Sequence, residues 1–200
     1  MHRPLLARSA LPAIGIALAT LLAGPAQAAL QDRDLDGNGV TDAFYDTDLD
    51  ITWLRDANVN GPMDWHAAAS WADGFSIGGY GDWRLPTSTL GCHFEYCNSE
   101  MRHLWSVELG NSAGALTNTG AFQNLLPAIY WTGTDYPSGN AADVFDQSNG
   151  AHGWSTKIPT LYAMAVRDGD IPVVPEPGTY ALMLAGLAGL MLRRRVAERG

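Results

Sequence analysis

The chain has 200 residues, of which 46% are hydrophobic, with 12 basic and 21 acidic residues and a formal charge of −9. That is apolar enough for one packed domain and too acidic to meet nucleic acid or an anionic membrane surface through charge; no basic stripe or nucleic-acid motif is present. The acidity is concentrated, since residues 29–174 hold 19 acids, six bases and all seven tryptophans, a formal −13, which fits a loop-rich domain with an aromatic core.

The N-terminus carries Arg3 and Arg8, an apolar run over 11–22, and Ala26-Gln27-Ala28 in the small-x-small pattern. This predicts a signal peptide over 1–28, cut between Ala28 and Ala29. The run is shorter than the roughly 20 residues a membrane span needs. A single domain is then expected over 29–170, a linker over 171–178, and a hydrophobic helix with a basic tail over 179–200.

The domain opens with Asp32, Asp34 and Asp36 alternating ahead of Gly37 and Asn38, the first half of a calcium loop. The second half departs from it. Ala43 stands where the bidentate glutamate belongs, Val40 has no side-chain oxygen, and Asp42 comes one place early. Two readings stand: a low-affinity calcium site at Asp32, Asp34, Asp36, Asn38 and Asp42, or an acidic turn leading into a strand.

Tyr45 to Trp53 alternates apolar and acidic residues, but aspartate is a poor strand former, so a hairpin with a second strand over 51–54 is preferred. Its aspartates are expected on the solvated surface. Asp64 reads as an N-cap for a helix ending at Gly74, with Trp65, Ala68, Ala69 and Ala72 at helical spacing. The loop Gly78-Gly79-Tyr80-Gly81 lacks the Lys-Ser/Thr of a phosphate cradle. Asp82 to Pro86 reads as a short strand, in which Arg84 is expected to pair with a carboxylate or loop carbonyls.

Cys92 and Cys97 form an even pair in an exported chain and read as a disulfide, for zinc would need further ligands in a recognisable pattern. A second helix is expected over 99–109, with Met101, Leu104 and Trp105 on one face and Gly110 as its stop. Strands over 129–133, 142–145, 153–157 and 161–167 follow in hairpin order. Two helices and a later set of short antiparallel strands make an α+β domain.

The tail reads Val174-Pro175-Glu176-Pro177-Gly178, then 14 mostly apolar residues over 179–192, then Arg193-Arg194-Arg195. The arginines place the C-terminus inside and the body outside. This arrangement resembles the PEP-CTERM sorting signal. The resemblance implies processing by an exosortase-type enzyme, a transient inner-membrane anchor, and release to the cell surface or beyond.

The body carries an ordered set of short motifs: Gly37 to Asp42, Leu49 to Leu54, the helix from Trp65 to Trp71, and Asp82-Trp83-Arg84-Leu85-Pro86-Thr87. Glu100 to Leu104, Tyr130-Trp131-Thr132-Gly133 and Tyr162 to Arg167 complete it. Over residues 35–168 this resembles the Lcl C-terminal-like domain, which implies a C-type-lectin-like fold and carries no catalytic residues. The Glu-Pro-Asn, Gln-Pro-Asp and Trp-Asn-Asp triplets of sugar-binding lectins are absent.

The expectation is an exported, non-enzymatic surface or matrix protein that binds exopolysaccharide or a surface partner, with Trp131, Tyr136 and Trp154 as candidate contacts and core packing as their other role. The alternative is a structural, glycosylated surface component. An enzyme ranks last: no nucleophile elbow or metalloprotease motif occurs, although the many acids leave a paired-carboxylate glycan hydrolase open.

Overall fold

The computed structural model describes residues 30–90, 98–112, 114–171 and 182–187. Among the described residues of the body, two four-stranded sheets and two α-helices, the second continued by a π turn, make an α+β architecture. The first sheet begins with β1 (Gln31–Arg33), β2 (Ala43–Asp46) and β3 (Ile51–Leu54), each antiparallel to the next. The expected hairpin is present, and its turn over 47–50 closes with Asp50 at φ 53°.

Its aspartates are not all solvated. Asp46 is completely buried, because its carboxylate closes the turn by accepting the Asp48 and Leu49 N–H groups, each at 3.1 Å, and faces the Trp53 indole N–H at 3.4 Å. A turn that needs two backbone donors satisfied draws its acceptor inward.

Helix α1 (Trp65–Gly74) starts as expected: the Asp64 side chain accepts the Ala67 N–H at 3.0 Å. Ala68 and Ala72, four residues apart, are its buried stripe and pack with Leu85, Trp131, Ala142 and Val144. Helix α2 (Glu100–His103) is capped by Ser99, but the expected helix over 99–109 does not stay α-helical. From Leu104 to Glu108 it widens into a π turn, in which the Leu109 N–H reaches the Leu104 carbonyl at 2.9 Å. The Ser106 hydroxyl donates to the Arg102 carbonyl at 2.7 Å, a back-bond that competes with the α register. Gly110, at φ 63°, ends the segment.

The second sheet holds β4 (Ile129–Asp135), β5 (Ala141–Asp146), β6 (Ala151–Thr156) and β7 (Tyr162–Ala163), in the order β6-β5-β4-β7. Residues 161–167, expected as one hairpin strand, are divided between the sheets. β7 runs parallel to β4, whereas β8 (Val166–Asp168) pairs antiparallel with β3 in the first sheet. Between them Met164 and Ala165 are fully buried, and the Ala165 carbonyl accepts the Leu54 N–H at 3.0 Å. The apolar residues of this stretch thus serve three core clusters instead of one face.

The main core joins Phe44, Ile51 and Trp53 to Met101, Leu104 and Trp105 and to Tyr130, Phe145 and Met164. Trp53, Trp83, Trp105 and Trp131 are all within 1% of complete burial. The indole N–H groups of the last three donate to the carbonyls of Tyr80, Gln147 and Met63 at 3.1, 3.1 and 2.9 Å. Burial of so much aromatic surface is tolerated because each polar edge finds an acceptor.

Candidate functional site

The acidic loop places the carboxylates of Asp34, Asp36 and Asp42 within 4.8 Å of one another. Asp34 accepts the N–H groups of Gly37, Asn38 and Gly39, the last at 2.7 Å, and that bond leads the causes holding its carboxyl below the usual aspartate range. Asp42 accepts the Leu35 N–H at 2.9 Å, and the Asn38 side-chain oxygen accepts the Val40 N–H at 2.7 Å. Asp32 stands apart on β1, where it accepts from the Thr41 hydroxyl. The loop therefore brings three of its four candidate aspartates together, with the Asn38 amide donating to Asp36 at 2.9 Å, and spends much of their oxygen on its own backbone.

The aromatic candidates separate by exposure. Trp131 is fully buried with its indole N–H on the Met63 carbonyl, so it packs the core. Tyr136 is half-buried where β4 turns into β5, and its N–H bonds the Ala141 carbonyl at 3.0 Å. Trp154, on the sheet-edge strand β6, is 60% exposed. Two residues on, Thr156 begins the wall of a groove of about 490 Å³, lined also by Asp64, His66, Asn140, Lys157 and Ile158. Ile158 is 83% exposed. Lys157 is held there by Asp135 at 2.7 Å, with its ammonium 3.9 Å from the Trp65 ring centre. Cys92, Cys97, Ala28, Ala29, Pro175, Glu176, Pro177 and Arg193 to Arg195 lie outside the described residues.

Two buried polar clusters were not anticipated from the sequence. In one, Asp143 accepts the Ser88 hydroxyl on Oδ2, and His152 Nδ1 lies 3.1 Å from the same oxygen. The carboxylate stands between hydroxyl and imidazole, and the His152 side chain is fully buried. A nucleophilic triad needs the imidazole in the middle, so this arrangement is a structural network.

In the other, His103 Nε2 lies 3.9 Å from Asp46, 3.8 Å from Asp48 and 3.4 Å from Glu108. Burial, then the charge of Asp46, pushes the Glu108 carboxyl up. The members are scattered over 46, 48, 103 and 108, so no local motif marks them; the sequence signal is only a His and a Glu five apart beside a Trp-containing helix. Arg84 pairs as expected. It binds Glu100 through two bonds of 2.8 Å and also reaches Asp168, joining the start of α2 to β8.

The Lcl C-terminal domain matches residues 42–167, and the chain belongs to that family. The PEP-CTERM protein-sorting motif matches residues 173–195. No curated protein matches the chain. The sorting motif marks the protein for export, membrane transit and processing by exosortase, an inner-membrane enzyme, with the cell surface as its destination. Neither matched description is of a catalytic family. Among the described residues no helix is long and apolar enough to cross a membrane; of the tail, residues 182–187 are helical.

Proposed function

We propose that the protein is a non-enzymatic component of the cell surface or extracellular matrix whose body, a C-type-lectin-like domain, binds exopolysaccharide. The observation that carries this reading is Trp154. Six of the seven tryptophans are buried or half-buried, and this one is 60% exposed on an edge strand that leads into the groove at Thr156. An exposed aromatic face beside a groove is a platform on which a sugar ring can stack. The charge of −13 over residues 29–174 favours a neutral glycan, or an acidic one bridged by cations. With Asp143 placed between Ser88 and His152, the imidazole does not reach the hydroxyl as a base, which speaks against Ser88 as a nucleophile.

In this reading the signal peptide over 1–28 and the processed tail deliver residues 29–170 to the exterior, and Cys92 and Cys97 are joined there. The acidic loop is a self-closed turn; calcium at Asp34, Asp36 and Asp42 would add to it, and a melting shift between millimolar calcium and chelator tests that. The binding test compares the full chain, purified in detergent, with Trp154→Ala on the producing cell's polysaccharide. A loss of at least tenfold in affinity at unchanged melting temperature is expected. Unchanged affinity removes Trp154 from the site, and no saturable binding by the parent chain favours a structural surface component.

A further inference from the structure

We propose that Asp46, His103 and Glu108, with Asp48 as the outer ligand, form a binding site for a first-row divalent transition cation of the zinc class. The ligand atoms offered by Asp46, His103 and Glu108 all lie within 4.8 Å of one another. From His103 Nε2 the carboxylate oxygens of Glu108, Asp48 and Asp46 are at 3.4, 3.8 and 3.9 Å. A tetrahedral ion bound at about 2.0–2.2 Å spaces its ligands by about 3.3–3.6 Å, so Asp46, His103 and Glu108 would draw inward to form three corners of the shell, with Asp48, 3.8 Å from His103 Nε2, on the side of the fourth.

Burial supplies the second, independent observation. The Asp46 and Glu108 side chains are 0% and 2% exposed, and Glu108 Oε1 and His103 Nε2 face each other at 3.4 Å with no hydrogen-bond partner beyond that contact. Two carboxylates in this position repel each other out of water, and one imidazole, even protonated, leaves the three acids around it in excess. A divalent cation would satisfy both orphaned atoms and offset the charge.

The local backbone is shaped for this. In a continued α-helix, residues five apart point about 140° from each other. The π turn from Leu104 to Glu108 widens the register to five residues and brings Glu108 round to the side of His103. Asp46 is held in place on both oxygens: Oδ1, the one nearer His103, accepts the N–H groups of Asp48 and Leu49, and Oδ2 faces the Trp53 indole N–H at 3.4 Å, so a bound ion would share Oδ1 with the turn or take Oδ2.

There is also an entrance. His103 and Asp48 are 21% and 46% exposed, and His103 is also one of the residues that line a groove of about 480 Å³, with Leu49, Ser99, Arg102, Ser106 and Val107. The imidazole nitrogen selects zinc-like ions over calcium and magnesium, which prefer oxygen alone. The site is separate from the acidic loop, which contains no histidine.

The test is a calorimetric titration of the untagged full chain in detergent, stripped with chelator and then given zinc, manganese, calcium or magnesium chloride. One zinc per chain is expected, with a melting rise of several degrees and calcium at least 100-fold weaker. Cobalt should give the visible bands of a tetrahedral site. Glu108→Gln and His103→Gln should each weaken zinc at least tenfold and abolish the cobalt bands, whereas Asp34→Asn should leave both intact. Glu108→Gln removes a buried charge, so its zinc-free melting temperature should be no lower than the parent's, which separates lost ligation from lost folding. No stoichiometric zinc, undiminished zinc in Glu108→Gln, or equal affinity for calcium would each overturn the site.

Discussion

Gly150 shows how one residue without a side chain can hold a core in place. It sits at φ 74°, and a Cβ there would come within 2.7 Å of the Trp105 ring. Trp105 is 1% exposed and its indole N–H is fixed on Gln147, so the ring has nowhere to retreat. Gly150→Ala is expected to cost about 2–4 kcal/mol from overpacking plus the left-handed backbone, read as a lower urea midpoint. Tyr130 makes a second prediction. Burial pushes its phenol up to about 12 from an ordinary value of 10.0. The unfolded chain therefore loses this proton first, and the folded state keeps it. Stability should be intact below pH 10 and fall as pH rises towards 12; Tyr130→Phe should remove that part of the alkaline loss in a melting series.

At the scale of elements, Arg84 binds together pieces distant in sequence. The hydrogen-bonded Glu100 beside it holds the guanidinium charged more firmly than usual, and Glu100 also accepts the Thr87 N–H. Arg84→Met leaves Glu100, 15% exposed, without its cation and releases Asp168. The expected cost is on the order of 2 kcal/mol, with Glu100→Gln in the same chain recovering part of it. Elements with local determinants were legible in the sequence. Asp64 announced α1, the Asp-rich turn announced β2 and β3, and Ser99 and Gly110 bracketed the second helix. The π turn was not, because Met101, Leu104 and Trp105 have the same spacing whether or not the helix widens after them. Residues 161–167 were misread for a related reason: Ala163, Met164, Ala165 and Val166 are all buried, so no alternation shows where the chain passes from one sheet to the other. The His103 cluster lay beyond sequence reasoning, since its ligands meet only after β2 packs against α2.

For the whole molecule, the body and the tail divide the work: one packs a tryptophan-rich domain, and the other directs it outward. Deletion of residues 173–195 should abolish the membrane-held precursor and its conversion to a shorter form, seen by pulse-chase of cell fractions, without lowering the body's melting temperature. Sorting was legible because it is written as a contiguous motif. The exposure of the aromatic candidates was not legible: Trp131 and Trp154 look alike in sequence, and burial alone tells the core residue from the exposed one.

The most direct test of the binding account is a titration of the full chain against the producing cell's exopolysaccharide, with divalent cations and then with chelator. Saturable binding that Trp154→Ala weakens at least tenfold is the result expected. Absence of saturable binding in both conditions, with the protein folded and surface-sorted, would contradict it.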